Sequence, residues 1–428
     1  WKVGRTFHRD VEVFNFDLLP EAGHKMPAFV NLQQYYVEEY LIETALANPL
    51  IDLRFKNRVI GVEQSRDYST VRVETPDGEY ALEAEWLIAC DGARSPIRAL
   101  LGLEFDGELF EERFLIADIE MEDVGVSERL FWFEPKFHPG QSALLHKQPD
   151  NIYRIDLQLG WEADPELEKL PERVIPRIER VVGHRDFRLD WVSVYTFQCR
   201  RLQRFVENRV VFIGDSAHVV SPFGARGGNG GMGDVDALGW RLASVVNGEA
   251  PIAALDAFDR ERCFGADENL LNSSRSTRFM SPEPGLERLF RDAVLDLAGR
   301  ADFARPMVNS GRLSRPCVYP ISGADDGRLP SAARPGAVAP DAPLGKGWLC
   351  EALGGDFVVL ALGCEAPMVA RARVVQPALS EMLRARYLGQ AESAIYVIRP
   401  DQVVAARWVQ ADAKMVAEAL AAAREGRT

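Results

Sequence analysis

Between residues 214 and 234 the chain reads GDSAHVVSPFGARGGNGGMGD, dense in glycine and holding an aspartate near each end. A turn needs one or two glycines. This density implies that something lies against bare main chain, closer than a Cβ allows. The stretch follows the apolar run RVVFI, so Gly214 and Asp215 fall at the carboxyl end of an expected buried strand, where open α/β sheets bind ligands. A carboxylate there accepts hydrogen bonds from polyol hydroxyls, or else caps a helix or braces the loop. Gly227, Gly228, Asn229, Gly230 and Gly231 lead into a helix expected from about Gly233 to Val246. Exposed N–H groups and the positive end of the helix dipole favour partial negative charge on a planar ligand. Pro222 stiffens the approach.

Gly228, Gly230 and Gly233 also spell a literal G-x-G-x-x-G. The dinucleotide motif of that form opens directly after its strand, with an acidic residue ending the next strand about 20 residues on. Here the strand ends near Gly214 and the region of Glu249 closes a helix, so that reading is rejected. His218 has no Ser or Asp at nucleophile spacing; it is expected as a packed loop histidine, and a hydrolase triad is unsupported.

The elements that must position these residues follow from periodicity. VEVFNF (11–16) alternates like a strand, and 32–48 has the three-and-four spacing of an amphipathic helix. Strands around the Pro-Asp-Gly at 76–78 predict a hairpin, and EWLIAC reads as a strand buried on both faces. From 113 to 197 the strand-like runs are strongly aromatic, with one helical insert near 166–182, which predicts a mostly antiparallel sheet. Residues 311–347, rich in Pro and Gly, read as a linker, and the tail as a small α/β unit.

Composition bounds the class. The 428 residues are 47% hydrophobic, enough for two or three domains, and carry a net charge of −14 without a basic block. That gives no electrostatic case for nucleic acid. No apolar run approaches the ~18 residues of a membrane span. Six scattered cysteines and six scattered histidines point to reduced thiols, a cytoplasmic protein and no metal site.

RVVFIGDSAHVVSPFGARGGNGG resembles the second, Gly-Asp motif of the flavin-dependent aromatic hydroxylases, the group A flavoprotein monooxygenases, and ACDGARSPIR (89–98) resembles their Asp-Gly motif. The tail YVIRPDQVVAARW is similar to the C-terminal domain of the phenol and 3-(3-hydroxyphenyl)propionate hydroxylase branch. The resemblance implies an α/β fold: an FAD-binding Rossmann-like domain of glutathione-reductase type, an inserted antiparallel-sheet substrate domain and a thioredoxin-like C-terminal domain. Mapped here, these are 1–112 and 199–310 for FAD, 113–198 for substrate, 311–347 as linker and 348–428 for the C-terminal domain. The family's opening βαβ unit is not in the sequence, so roughly 70 to 80 residues are expected before Trp1.

The resemblance assigns FAD contacts to Gln34, Asp91, Gly92, Arg94, Gly214, Asp215, Pro222, Gly227, Gly228, Asn229 and Gly230, with Arg98 beside them. It implies NADH or NADPH as co-substrate, O2 activated as a flavin C4a-hydroperoxide, a small phenolic substrate and a homodimer. Pro222 would lie beside the reacting ring. His138, His146, Tyr153 and Tyr195 are candidate bases for phenol deprotonation, each with ordinary packing as the alternative. Trp132, Phe131 and Phe133 could line an aromatic pocket, but alternate residues on a strand face opposite ways, so at most one set does. Arg226 could meet an anionic substrate. The alternatives are an epoxidase or antibiotic-modifying monooxygenase of the same fold, and a non-catalytic fragment or scaffold.

Overall fold

The computed structural model describes residues 1–19, 21–122, 125, 127–308 and 316–427. The chain opens with an antiparallel hairpin, β1 (Val3–His8) and β2 (Val11–Asp17), followed by helix α1 (Gln34–Ala47). A three-stranded antiparallel sheet comes next: β3 (Arg58–Gln64), β4 (Ser69–Thr75) and β5 (Gly78–Ala84), the last two joined at the expected Pro-Asp-Gly turn. Short β6 (Leu87–Ala89) leads to α2 (Pro96–Leu100). Then come β7 (Asp106–Glu120), β8 (Arg129–Phe133), β9 (Ser142–Lys147) and β10 (Ile152–Leu159). Helices α3 (Pro165–Glu168) and α4 (Pro171–Val182) interrupt the strands before β11 (Arg188–Arg201). The chain continues through β12 (Val206–Glu207), β13 (Val210–Phe212), β14 (His218–Val219), α5 (Gly227–Val246), α6 (Ala254–Met280) and α7 (Leu286–Ala298).

The fold is mixed α/β around one large sheet of eight strands, ordered β14-β11-β7-β10-β9-β8-β1-β2. Every pair in it is antiparallel except β1 with β8. Residues 3–17 therefore extend the sheet expected to begin at 113, rather than lying with the glycine-rich segment. The edge of β8 has main-chain groups to satisfy, and β1, buried at every second residue, supplies them. One face of the sheet carries Leu115, Ala117, Ile119, Ile155 and Leu157 and is covered by Val174 and Ile178 of α4. The other presents Phe114, Phe133 and Phe197 to Phe223, Met280 and the apolar side of α7.

Beside this sheet, β13 pairs parallel with β6 and antiparallel with β12. Its residues are fully buried, and α5 and α6 close over them through Leu238, Leu255 and Phe258. The C-terminal unit has a small hairpin, β15 (Pro343–Leu344) and β16 (Gly347–Trp348). Its main sheet holds β17 (Val358–Leu362), β18 (Arg373–Val375), β19 (Ala394–Ile398) and β20 (Val404–Trp408), ordered β18-β17-β19-β20, with a helix over Ala413–Arg424.

Of residues 311–347, expected as a linker, 311–315 lie outside the described residues and 316–347 pack onto this unit: the Gly336 N–H donates to the Val404 carbonyl (2.9 Å) and its carbonyl accepts from the Tyr319 N–H (3.0 Å). Gly336 has φ +86°, and a Cβ there would stand 2.0 Å from the Tyr319 carbonyl oxygen. The glycine serves close approach rather than flexibility, which composition alone does not distinguish. A buried ion network joins the C-terminal unit to α5 and α6: Arg399 pairs with Glu261 (2.8 Å) and Asp401 (2.6 Å), and Arg241 with Glu261 (2.8 Å). No helix among the described residues is long and apolar enough to cross a membrane.

Candidate active site

The site is built where β13 ends. Gly214 takes φ +59°, a left-handed turn that a side chain resists. The Ser216 hydroxyl lies 2.6 Å from the Ala89 carbonyl, tying this turn to β6, and the Arg98 guanidinium donates to the carbonyls of Ser216 (3.1 Å) and Ala93 (2.7 Å). The Gly-Asp and Asp-Gly segments are thus braced against each other by side chains far apart in sequence.

Asp234, fully buried on the second turn of α5, holds the whole loop. One oxygen accepts from the Gly214 N–H (2.8 Å) and lies 2.7 Å from His218 Nε2; the other accepts from Arg262 Nε (2.6 Å). Arg262 also donates to the Gly230 carbonyl (3.0 Å) and the Tyr319 hydroxyl (2.6 Å). Burial pulls the Asp234 carboxyl upward; His218 and Arg262 outweigh it and hold the carboxyl below its ordinary range. His218 is therefore a packed structural partner, as its sequence context implied.

The helix begins at Gly227, six residues earlier than expected, so the glycine run is its first turns. The glycines divide by what surrounds them. A Cβ on Gly230 would stand 3.1 Å from the His218 ring, one on Gly231 3.3 Å from the Gly214 Cα, and one on Gly233 3.4 Å from Arg262. Those three are required by packing inside the protein. Gly228 has nothing within 4 Å, and Gly227 meets only the Val220 methyl at 3.9 Å. Arg226, at the N-cap, supplies no side-chain bond to the helix. Among the described residues the amides of Gly227, Gly228 and Asn229 find no main-chain acceptor, leaving donors at the positive end of a twenty-residue helix.

Asp215 is exposed beside them and makes no hydrogen bond within the described protein; partial desolvation raises its carboxyl, with His218 opposing. Pro222 and Asn229 are exposed too. On the Asp-Gly side, Asp91 accepts from the Ile97 N–H (3.0 Å) at the start of α2, Gly92 has φ +82° with open space around it, and Arg94 is exposed. Gln34 is exposed on α1 and donates to Glu38 (2.6 Å).

Past Pro222 the loop reaches an aromatic cleft lined by Phe16, Phe131, Phe133, Phe223, Phe279 and Arg129 among others. Strand parity settles which aromatics face it. Phe131 and Phe133 do. Trp132, expected among substrate contacts, packs on the opposite face with Phe7 and Phe137, because the apolar cover from α4 lies on that side. Tyr153 is likewise buried on the α4 face. Tyr195 sits opposite Phe114 in the register, on the cleft side, and is half exposed. His138 does not reach the cleft: its Nε2 lies 2.7 Å from the Gln158 carbonyl, and burial lowers its pKa. His146 is on the cleft-facing side of β9, held neutral by burial and by Arg129 and Arg154. Arg226 points to α6, where it donates to Asn269 (3.0 Å).

A model of the FAD binding domain matches residues 6–272. The chain belongs to the FAD binding domain family. Within it, the chain is 28% identical over 343 residues to a 3-(3-hydroxy-phenyl)propionate/3-hydroxycinnamic acid hydroxylase of Burkholderia cenocepacia, covering 78% of this chain and 62% of that protein. It is 30% identical over 365 residues to a 12-dehydrotetracycline 5-monooxygenase/anhydrotetracycline 6-monooxygenase of Streptomyces rimosus, covering 81% and 70%. In fold it matches the flavin-dependent monooxygenase PieE solved with FAD and substrate: TM-score 0.80, 20% identity, 99% of this chain and 86% of that one.

The residues present fit the FAD that gives this family its name. Gly227 and Gly228 leave a cradle that Cβ atoms would narrow, unpaired amides face it, and the unbonded Asp215 carboxylate stands at its edge. Sequence reasoning missed Asp234 as the organiser of this glycine-rich loop. An aspartate one turn inside the helix, opposite the buried His218, was the available signal.

Proposed function

We propose that this chain is an FAD-dependent monooxygenase that hydroxylates a phenolic substrate, using NAD(P)H and O2. The observation that carries the reading is the open, donor-rich main chain at Gly227 and Gly228, set between the unbonded Asp215 and the aromatic cleft. The names of the hydroxylase and monooxygenase relatives support it. FAD, when bound, supplies hydride acceptance and the delivery of one oxygen atom of O2 to the ring.

This chain's residues bind and orient. Asp215 accepts hydrogen bonds from polyol hydroxyls, and the α5 amides stabilise negative charge on the edge of the planar ring. Pro222 gives a rigid apolar contact at the join between FAD site and cleft, while Asp91, Gly92 and Arg94 border the site from the Asp-Gly side. Phe131, Phe133, Phe223 and Phe279 hold the substrate ring and exclude water. His146, on the cleft-facing side of the sheet, is held neutral by burial and by Arg129 and Arg154, which disfavour its taking up a phenolic proton. We further propose that the C-terminal unit is thioredoxin-like in topology. It has no vicinal pair of cysteines, so its role is structural.

The test is reconstitution with FAD, followed by flavin absorbance and fluorescence. The wild-type chain should take up FAD, and Asp215→Ala should weaken uptake at least about tenfold. The melting temperature of the FAD-free variant should stay unchanged, because Asp215 bonds nothing in the protein. Loaded protein should convert a phenol to its hydroxylated product, read by mass spectrometry. A chain that takes up no FAD under any condition would falsify the assignment.

A further inference from the structure

Glu261 and Arg262 are neighbours on α6, and both reach the last third of the chain. Glu261 pairs with Arg399 of the C-terminal unit (2.8 Å). Nη1 of Arg262 donates to the hydroxyl of Tyr319 (2.6 Å). Tyr319 belongs to the segment 316–347 that packs onto that unit. Its N–H donates to the Gly336 carbonyl (3.0 Å), and the Gly336 N–H donates to the carbonyl of Val404 on β20 (2.9 Å). The Arg399 guanidinium stands 6.0 Å from the centre of the Tyr319 ring. The C-terminal unit therefore holds both the main chain and the ring of Tyr319.

From Arg262 the bonds continue into the glycine-rich loop. A guanidinium is a planar fork of donors, and here each nitrogen has a different acceptor. Nε takes the Asp234 carboxylate (2.6 Å), Nη2 the Gly230 carbonyl (3.0 Å) and Nη1 the Tyr319 hydroxyl. Asp234 in turn accepts from the Gly214 N–H at the end of β13 (2.8 Å). Gly230 and Asp234 lie on the first two turns of α5, so this fork holds the end of the helix whose amides at Gly227 and Gly228 open toward the cradle. Arg262 and Tyr319 are 5% and 8% exposed, and a buried donor left without an acceptor is costly. A cavity bordered by Gly230, Arg262, Asn269, Tyr319 and Gln402 opens beside the fork. Deprived of the hydroxyl, the guanidinium turns toward water there, and in turning it releases Gly230 and Asp234.

Taking the FAD site as read above, we propose that Tyr319 is a positioning residue for it. Its hydroxyl keeps Arg262 in the one orientation that also bonds Gly230 and Asp234, and so fixes where the Gly227 and Gly228 amides stand. A phenylalanine would fill the same space and keep the contact with Arg399; only the oxygen receives the Nη1 proton. The favourable effect of a helix N-terminus on a negatively charged ring edge depends on where its N–H groups point. The C-terminal unit thereby acts on the FAD site through one phenol group that does not itself face the cradle.

The experiment compares the wild type with Tyr319→Phe and with Tyr387→Phe, which removes a buried hydroxyl inside the C-terminal unit, bonded there to the Pro340 carbonyl. Hydrogen exchange of the FAD-free chains is followed by mass spectrometry. In Tyr319→Phe the peptides holding Gly214 and 230–238 should exchange at least about tenfold faster, with β10 and β19 unchanged. FAD should bind that variant at least about tenfold more weakly, and the visible circular dichroism of the bound flavin should change. Tyr387→Phe should match the wild type in all three measurements. Unchanged exchange of the loop in Tyr319→Phe overturns the assignment. So does acceleration that extends to β10 and β19 or is equalled by Tyr387→Phe, which marks a general loosening. Faster loop exchange with FAD affinity and flavin spectrum both unchanged overturns it as well. A wild type that takes up no FAD counts against the proposed function alone, because exchange in the FAD-free chain still decides whether Tyr319 holds the loop.

Discussion

Gly231, on the second turn of α5, lies directly against Gly214 at the end of β13: a methyl group on Gly231 would stand 3.3 Å from the Gly214 Cα. Neither backbone can move freely, since Gly214 donates to Asp234 and Ser216 is anchored to Ala89. This contact sets how closely the helix N-terminus approaches the strand end, and so where its unpaired amides point.

Two glycines three residues apart should therefore respond oppositely. Gly231→Val overpacks a backbone-to-backbone contact and should cost about 1–3 kcal/mol of stability. Gly228→Ala meets no protein atom within 4 Å and sits in a helix, so it should stabilise the FAD-free chain by about 0.4–1 kcal/mol. The same methyl group narrows the cradle, so FAD affinity should fall. Urea denaturation and FAD titration of both variants check this; a Gly228→Ala chain with unimpaired FAD uptake contradicts the placement.

Asp234→Ala leaves the buried Arg262 and His218 without their acceptor and should cost about 3–5 kcal/mol. The pH dependence has a definite sign. The folded carboxyl titrates below its unfolded value, so its contribution is present above about pH 4 and is lost as pH falls through the folded pKa. The stability gap between wild type and Asp234→Asn should stay constant from pH 7 to pH 5 and close in stronger acid, as followed by denaturation at each pH.

Asp156 behaves in the opposite sense. Burial raises its folded pKa to about 6, above the unfolded value, so wild-type stability falls as pH rises from about 4 through 6. Asp156→Asn should gain up to about 3 kcal/mol at pH 8 and nothing at pH 4. Melting temperatures of the two proteins across that range decide it; a gain independent of pH contradicts the burial argument.

The C-terminal unit should be energetically continuous with α5 and α6. Arg399→Met leaves Glu261 and Asp401 as buried carboxylates short of a cation and should cost about 3–5 kcal/mol. Adding Glu261→Gln should recover at least half of that, because Arg241 still lies 3.7 Å from Asp401. Chemical denaturation of the single and double variants measures the recovery.

The parts of this protein legible in its sequence are those set by neighbours in the chain. The buried strand before Gly214, the turn at Asp215 and the glycine run entering a helix depend on local propensity and backbone freedom, and they are where the sequence placed them, apart from the earlier helix start. The hairpin at Pro76 and the helical insert at 171–182 are of the same kind. Alternation along β8 showed that Trp132 and Phe131 face opposite ways, but not which way is inward.

That choice belonged to the tertiary structure, since it rests on α4 covering one side of the sheet and the glycine-rich loop and α7 the other. The membership of residues 3–17 in the large sheet, the packing of 316–347 and the row of Arg129, His146 and Arg154 were decided the same way. In each case the deciding interaction is between segments far apart in the chain. The physical reason is that periodicity records that a face is buried, whereas register and the covering element determine what it is buried against.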